Sequence, residues 1–293
     1  LMSAENEYSD LLDRLADTHQ ARIAVALQEL ESRISQLMAT APLSDGNLFD
    51  LEWALAARAE IRSIIDEVYL AEVQASIRQY RNVSASALAM LQNYGDFINV
   101  EASVITQLQR LSFQGFEAIA NEYLDILATE IYQSTLTGRA FNESVKNLSQ
   151  SINGIYISSD SLEAKKLVDI AANGSAAQKA AAVEKLQTLY GRDGTGRNLR
   201  RYSVQMMQDS LMQFDASINT AIGKESGAEK WKYYGSSIRD TRSFCRKHQD
   251  QTFTDEEIAQ TWSGSWAGKA PGDPFIVRGG YNCRHHWRPV FEE

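Results

Sequence analysis

Residues 11–37 read LLDRLADTHQARIAVALQELESRISQL, and their periodicity decides the fold class. Leu11, Leu15, His19, Ile23, Leu27, Leu30, Ile34 and Leu37 recur at three- and four-residue steps. An α-helix repeats every ~3.6 residues, so this spacing holds them on one face of a long helix. His19 reads as one more packed residue of that stripe. The run stops at APLSDGN (41–47), a cluster of turn-forming residues.

The same pattern continues outward. Leu51, Leu55, Ile61, Ile65 and Val68 mark a second helix, predicted to run past Arg81. Val104, Leu108, Leu111, Phe116, Ile119, Tyr123 and Leu127 mark a third system within 101–150, which NGIYISSD (153–160) breaks. Asp160 and Glu163 read as a capping box opening another helix, Asn173-Gly174 as its end, and an alanine-rich helix follows to Tyr190. GRDGTGRN (191–198) lacks the GK[ST] ending of a phosphate loop and follows no strand pattern, so it reads as a flexible connector. Val204, Met207, Leu211, Phe214, Ile218 and Ile222 form the last stripe. No proline stands between Pro42 and Pro271, which suits helices throughout. Each amphipathic helix must bury its face, so the expectation is a mainly α protein, a long-helix bundle or elongated helical hairpins.

Composition bounds the function. The 293 residues are 44% hydrophobic and 23% charged, as in an ordinary globular protein. A net charge of −9 argues against a general nucleic-acid coat and against an anionic membrane surface. No apolar run reaches the roughly eighteen residues of a membrane span, and no signal peptide is expected at the N-terminus. Two cysteines suit a reducing compartment.

The chain changes character near residue 223. Residues 231–293 hold both cysteines, three of the four histidines and four of the five tryptophans. They carry 9 Lys+Arg and 8 Asp+Glu, which leaves 20 basic and 30 acidic residues before them. GKESGAEK (223–230) reads as a linker between a helical body (1–222) and a small α+β module (231–293). Thr254 three residues before Glu257 is a capping box, and Asp255, Glu256 and Glu257 then sit in a first helical turn.

Cys245-x-x-His248 and Cys283-x-His285, with His286 beside it, form two nitrogen/sulfur pairs. Zinc takes four such ligands in a tetrahedron, and small domains supply them as close-spaced pairs. The alternatives are buried cysteines with hydrogen-bonded histidines, or a disulfide. Four protein ligands would make a structural zinc site, whereas three would leave room for water and catalysis. Arg239-Asp240-Thr241-Arg242 is either an anion clamp or a turn anchored by Asp240. No nucleophile–base–acid set is legible.

Trp231, the Arg239-Asp-Thr-Arg-x-x-Cys245 element, the short acidic helix (253–262) and Gly279-Gly-Tyr-Asn-Cys-Arg-His-x-Trp287-x-Pro289 stand in a telling order. Over residues 199–293 this resembles the C-terminal signature of phage head-morphogenesis proteins, the Mu F-like minor head (minor capsid) family. Many members of that family carry a second cysteine near the first and end in C-R-C; His248 and His285 stand in those places here. The resemblance implies a non-catalytic virion component, in the head interior or at the portal vertex, assembled in the host cytoplasm. It implies the portal and other head proteins as partners, proximity to packaged DNA, oligomeric assembly and no membrane. It also marks Trp231, Arg239, Asp240, Arg242, Gly279, Gly280, Asn282, Arg284 and Trp287 as the residues that build the module. The competing expectation is a zinc-dependent nuclease or hydrolase in the Cys/His module, with His286 or Glu257 as base and Asn282 beside it.

Overall fold

The computed structural model describes residues 4–44, 48–95, 97, 100–137, 141–154 and 198–291, with scattered single positions between 155 and 197. The expected capping box at 160–163, the alanine-rich helix and the GRDGTGRN connector lie essentially outside the described residues. The chain is mainly helical, with a small antiparallel sheet near its C-terminal end, as the periodicity predicts. Among the described residues no helix is long and apolar enough to cross a membrane.

The helices run in order: α1 (Ala4–Ala39), α2 (Leu51–Ile64), a π-helical stretch (Ile65–Leu70), α3 (Ala71–Arg78), α4 (Tyr80–Leu91), α5 (Ala102–Thr137), α6 (Phe141–Asn153) and α7 (Leu199–Glu225). A short hairpin, β1 (Leu43–Ser44) and β2 (Leu48–Phe49), joins α1 to α2. Asp50 caps α2 by accepting from the Trp53 N–H at 2.9 Å. Gly154, at φ +68°, follows α6 in the left-handed conformation that favours glycine, where the sequence places its break.

The chain forms two compact units, each built from separate stretches. One comprises Ala21–Gln74 and Gly115–Val204. It buries Ile23, Leu27, Leu30 and Ile34 of α1 as expected, with Met38 rather than Leu37 completing the stripe. On α2 the inward face is Ala54, Ala57 and Ile61, while Leu51 and Leu55 point outward. Small residues let the helix approach its neighbours closely, so the bulkier leucines are not needed inside.

The other unit comprises Leu1–Gln20, Ala75–Gln114 and Gln205–Glu293. Here the stripe of α1 is Tyr8, Leu12, Ala16 and His19, one step round the helix from Leu11 and Leu15. His19 is fully buried, with Nε2 3.2 Å from Gln79 Oε1 and its ring stacked on Tyr80. Val104 and Leu111 of α5 are exposed, so that stripe takes up its core role only from Phe116 onward.

The expected linker is mostly structured. Gly223 to Glu225 complete α7, a turn follows at Ser226-Gly227, and β3 (Lys230–Gly235) begins at once. The expected boundary at 223–230 does not divide the two compact units, since Gln205–Glu293 is one continuous stretch of a single unit. β3 is the middle strand of the sheet, antiparallel to β4 (Thr252–Thr254) and β5 (His285–Val290). Three short helices complete the module: α8 (Ser243–His248), α9 (Asp255–Thr261) and α10 (Pro274–Val277). α9 starts with the full capping box of Thr254 and Glu257, so the three acids there serve a helix end.

α7 is the centre of this unit. Met207 to Met212 are buried without interruption, and so are Phe214, Asp215, Ala216, Ile218, Asn219, Ile222 and Gly223. A helix buried all round cannot be solvated on a polar face, so its polar side chains need partners. Tyr8 donates to Asp215 Oδ1, Asn219 Nδ2 donates to the same oxygen at 2.8 Å, and His286 Nδ1 lies 2.8 Å from Oδ2. Tyr80 donates to Ser210 at 3.1 Å, and the Asn282 N–H donates to Asp209 at 2.6 Å.

Gly223 tests this packing. A Cβ there would lie 2.5 and 2.7 Å from the Trp231 ring and 2.9 Å from Pro289 Cβ. In an exposed helix, Gly→Ala stabilises by about 1 kcal/mol. Here Gly223→Ala is expected to destabilise by about 1–3 kcal/mol through overpacking. Urea denaturation decides the sign, and a gain in stability would mean α7 and β3 are not packed in this way.

Candidate metal centre

The sheet has two buried faces, and strand alternation sorts the residues between them. β3 and β5 pair Trp231 with Pro289, Tyr233 with Trp287 and Gly235 with His285 on one face. Lys232 with Arg288 and Tyr234 with His286 fall on the other. Consecutive histidines on one strand therefore face opposite ways.

The second face meets α1 and α7. Glu5 accepts from Arg288 and pairs with Lys232 at 2.8 Å. His286 reaches Asp215. Just before the strand, Arg284 pairs with Asp13 at 3.3 Å and Asp17 at 2.8 Å. Burial first, and the adjacent Asp215 carboxylate second, push the Tyr8 hydroxyl well above its usual range, so it stays protonated and donates.

The first face builds the module core of Trp231, Tyr233, Cys245, Ile258, Trp262, Phe275, Cys283 and Trp287. Every indole N–H of the tail has an acceptor: Trp231 on Asp255 at 2.6 Å, Trp262 on the Arg278 carbonyl at 2.8 Å, Trp266 on the Gly279 carbonyl at 2.9 Å and Trp287 on the Pro274 carbonyl at 3.3 Å. Phe244 stacks on Trp266 with ring centroids 3.7 Å apart. Trp231 and Trp287 are fully buried, which removes them from any nucleic-acid surface.

Within this core Cys245, Cys283 and His285 come together, all buried, with one donor atom from each lying within 4.8 Å of the others. The two sulfurs are 4.0 Å apart, and Cys283 Sγ is 4.0 Å from His285 Nδ1. A tetrahedral zinc ion with Zn–S bonds of ~2.3 Å needs an S···S edge of about 3.8 Å. The separation fits, and both cysteines are free. Nδ1 is the His285 ring nitrogen that faces Cys283 Sγ, while Nε2 is buried without a hydrogen-bond partner. This group could hold a metal ion.

Surrounding donors favour the thiolate form. The Gly279 N–H donates to Cys283 Sγ at 3.2 Å, and the Tyr233 hydroxyl is 3.5 Å from each sulfur. Cys245 hydrogen-bonds to Cys283, and together with His285 and the nearby Arg278 guanidinium it holds the Cys283 thiol well below its ordinary range. The shared hydrogen bond and burial push the Cys245 thiol the other way. Gly279 is required here, because a Cβ would lie 2.9 Å from Cys283 Sγ and closer still to Cys245 Sγ.

The five expected donors therefore divide. Cys245, Cys283 and His285 meet. His248, three residues after Cys245 on α8, turns into the aromatic cluster instead. Its Nδ1 lies 2.9 Å from the Phe244 carbonyl and its ring packs on Phe244 and Trp262. His286 is committed to Asp215 on the far face.

The other module residues are also spent on structure. Arg242 donates to the Ala267 carbonyl at 3.0 Å and the Tyr281 carbonyl at 2.5 Å. Asp240 and Arg239 are exposed in a turn closed by Thr241, whose hydroxyl accepts from the Ile238 N–H at 2.7 Å. Gly280 (φ +103°) and Asn282 (φ +56°) shape the loop that carries Cys283. Glu257 is bound in its cap, away from the metal cluster.

Sequence reasoning missed Arg278, Tyr233, Asp209, Asp215 and Tyr8. Arg278 is almost fully buried and donates to the carbonyls of Met212 at 2.7 Å and Ile276 at 2.6 Å. A lone arginine before Gly-Gly carries no periodic signal that would reveal this. The two aspartates could have been noticed as acids inside the α7 stripe region.

No protein-family model, curated protein or solved structure matches the chain.

The donor set makes a sharp prediction. Cys245→Ser, Cys283→Ser and His285→Ala are expected to lose stoichiometric zinc in a competition with a chromogenic chelator. His248→Ala is expected to keep it. His286→Ala should keep it too, while losing about 1–3 kcal/mol of stability because Asp215 Oδ2 is left buried without its hydrogen-bond partner. Zinc loss in His248→Ala or His286→Ala with the fold intact would contradict the assignment.

Proposed function

We propose that this chain is a non-catalytic phage head-morphogenesis (minor head) protein. It docks on the portal inside the head, acts in assembly, genome packaging or delivery, and carries one structural zinc in its C-terminal module. One observation carries the reading. The residues on which the resemblance rests go mostly into building and anchoring the module. Trp231 and Trp287 fill its core, Arg242 ties two of its loops, Gly279 admits the sulfurs, and Arg284 pairs with α1. A signature made of structural contacts suits an assembly module, whose function is to hold a shape for a partner. The zinc would be held by Cys245, Cys283 and His285. Its contribution would be to cross-link α8 to the loop before β5.

The three-donor cluster also favours the metal-dependent nuclease as a second reading, because catalytic zinc sites keep three protein ligands. Against it, His286 and Glu257, the expected bases, are bound elsewhere.

Co-expression with the portal protein encoded beside it separates the two. The assembly reading predicts a stable complex, a few copies per portal ring, by native mass spectrometry. Zinc-dependent cleavage of DNA by the isolated chain, without portal binding, would overturn it.

A further inference from the structure

The metal cluster lies at the floor of a shallow cleft. Cys245, Cys283 and His285 line it, below walls that include Ser236, Asp240, Thr241, Arg242, Asn282 and Arg284. On the inner side the sulfurs are closed off by the Gly279 backbone and by the Tyr233 hydroxyl, 3.5 Å from each. Among the described residues no other histidine, cysteine or carboxylate joins the group. The cleft is the side from which a ligand in solution could reach an ion held by these three donors.

Charge determines what suits that position. Zinc with two thiolates and a neutral imidazole is formally neutral. Next to it are two guanidiniums whose hydrogen bonds go to backbone carbonyls, with the Asp209 carboxylate near Arg278. Arg278 is buried against the carbonyls of Met212 and Ile276, and Arg242 donates to those of Ala267 and Tyr281. The acids near the centre are Asp209, which accepts from the Asn282 N–H, and Asp240, an exposed wall residue. Arg284 is neutralised by Asp13 and Asp17. Ser236, Thr241, Arg242, Asn282 and Arg284 give the cleft wall hydrogen-bond donors that suit an oxyanion.

We propose that the metal bound by Cys245, Cys283 and His285 keeps an exchangeable fourth position facing this cleft, and that it takes an anionic oxygen ligand there. The inference rests on the reading that the cluster holds a metal. The shared chemistry is an oxyanion, which a phosphate group or a carboxylate supplies. A single coordinated oxygen and the Arg242 side of the cleft would bind either one.

Cobalt(II) tests this in the full-length chain. Its thiolate charge-transfer bands report that the sulfurs hold the metal, and its d–d bands report the geometry of the remaining positions. The expected result is intact charge-transfer bands and a saturable change in the d–d bands on titration with inorganic phosphate or acetate. The stronger responder identifies the source. Absence of charge-transfer bands would overturn the metal reading and the inference with it. Intact bands with d–d spectra indifferent to both anions would overturn the inference alone. So would a response that appears only in Asp240→Asn, because Asp240 would then be the fourth ligand.

Discussion

The compact unit that contains Gln205–Glu293 depends on burying α7 from all sides. A surface helix keeps one wet face for its polar residues, and α7 has none over most of its length. Each polar side chain along it must be matched by a neighbour, and an unmatched one costs roughly 1–3 kcal/mol. The matches come from far apart in the sequence. Tyr8 and His286 converge on Asp215, the loop before β5 reaches Asp209, and Tyr80 reaches Ser210. These contacts determine how α1, α4 and the sheet surround α7, and they make the C-terminal module part of a helical body.

The sheet transmits that order to the Cys/His cluster. One face of β3 and β5 is pinned to α1 and α7 by Glu5, Asp215 and their partners. Because side chains alternate, pinning His286 on that face fixes His285 on the opposite one. There it meets Cys283, carried by the Gly279–Gly280 loop, and Cys245, presented by α8. The histidine next in sequence is thus the anchor that orients the ligand.

The fold class was legible because it rests on periodicity, which tolerates a shift of one residue. The stripe of α1 was read as Leu11 and Leu15 where Leu12 and Ala16 are buried, and helix existence was unaffected. The capping box at Thr254 was legible for a different reason, since it is a local contact between residues three apart. The linker expected at 223–230 from its glycines, serine and alternating charges is mostly helix end and turn. Gly223 is there for close approach to Trp231. The donor set was half legible. Residue types and spacing identified the cysteines, but choosing among three histidines requires the strand register and the rotation of α8, both set by tertiary packing. The partners of α7 lie 71 to 207 residues from it in the chain, beyond any local pattern.

The central claim is that residues 4–20, 205–225 and 231–291 form one cooperative body stapled by the Cys/His cluster. Hydrogen exchange, followed segment by segment in denaturant with and without bound zinc, tests it most directly. The account predicts that α7, β3, β5 and the start of α1 open together with a common free energy, and that zinc raises protection in all of them. Independent, faster opening of 231–291 while α1 and α7 stay protected would contradict it.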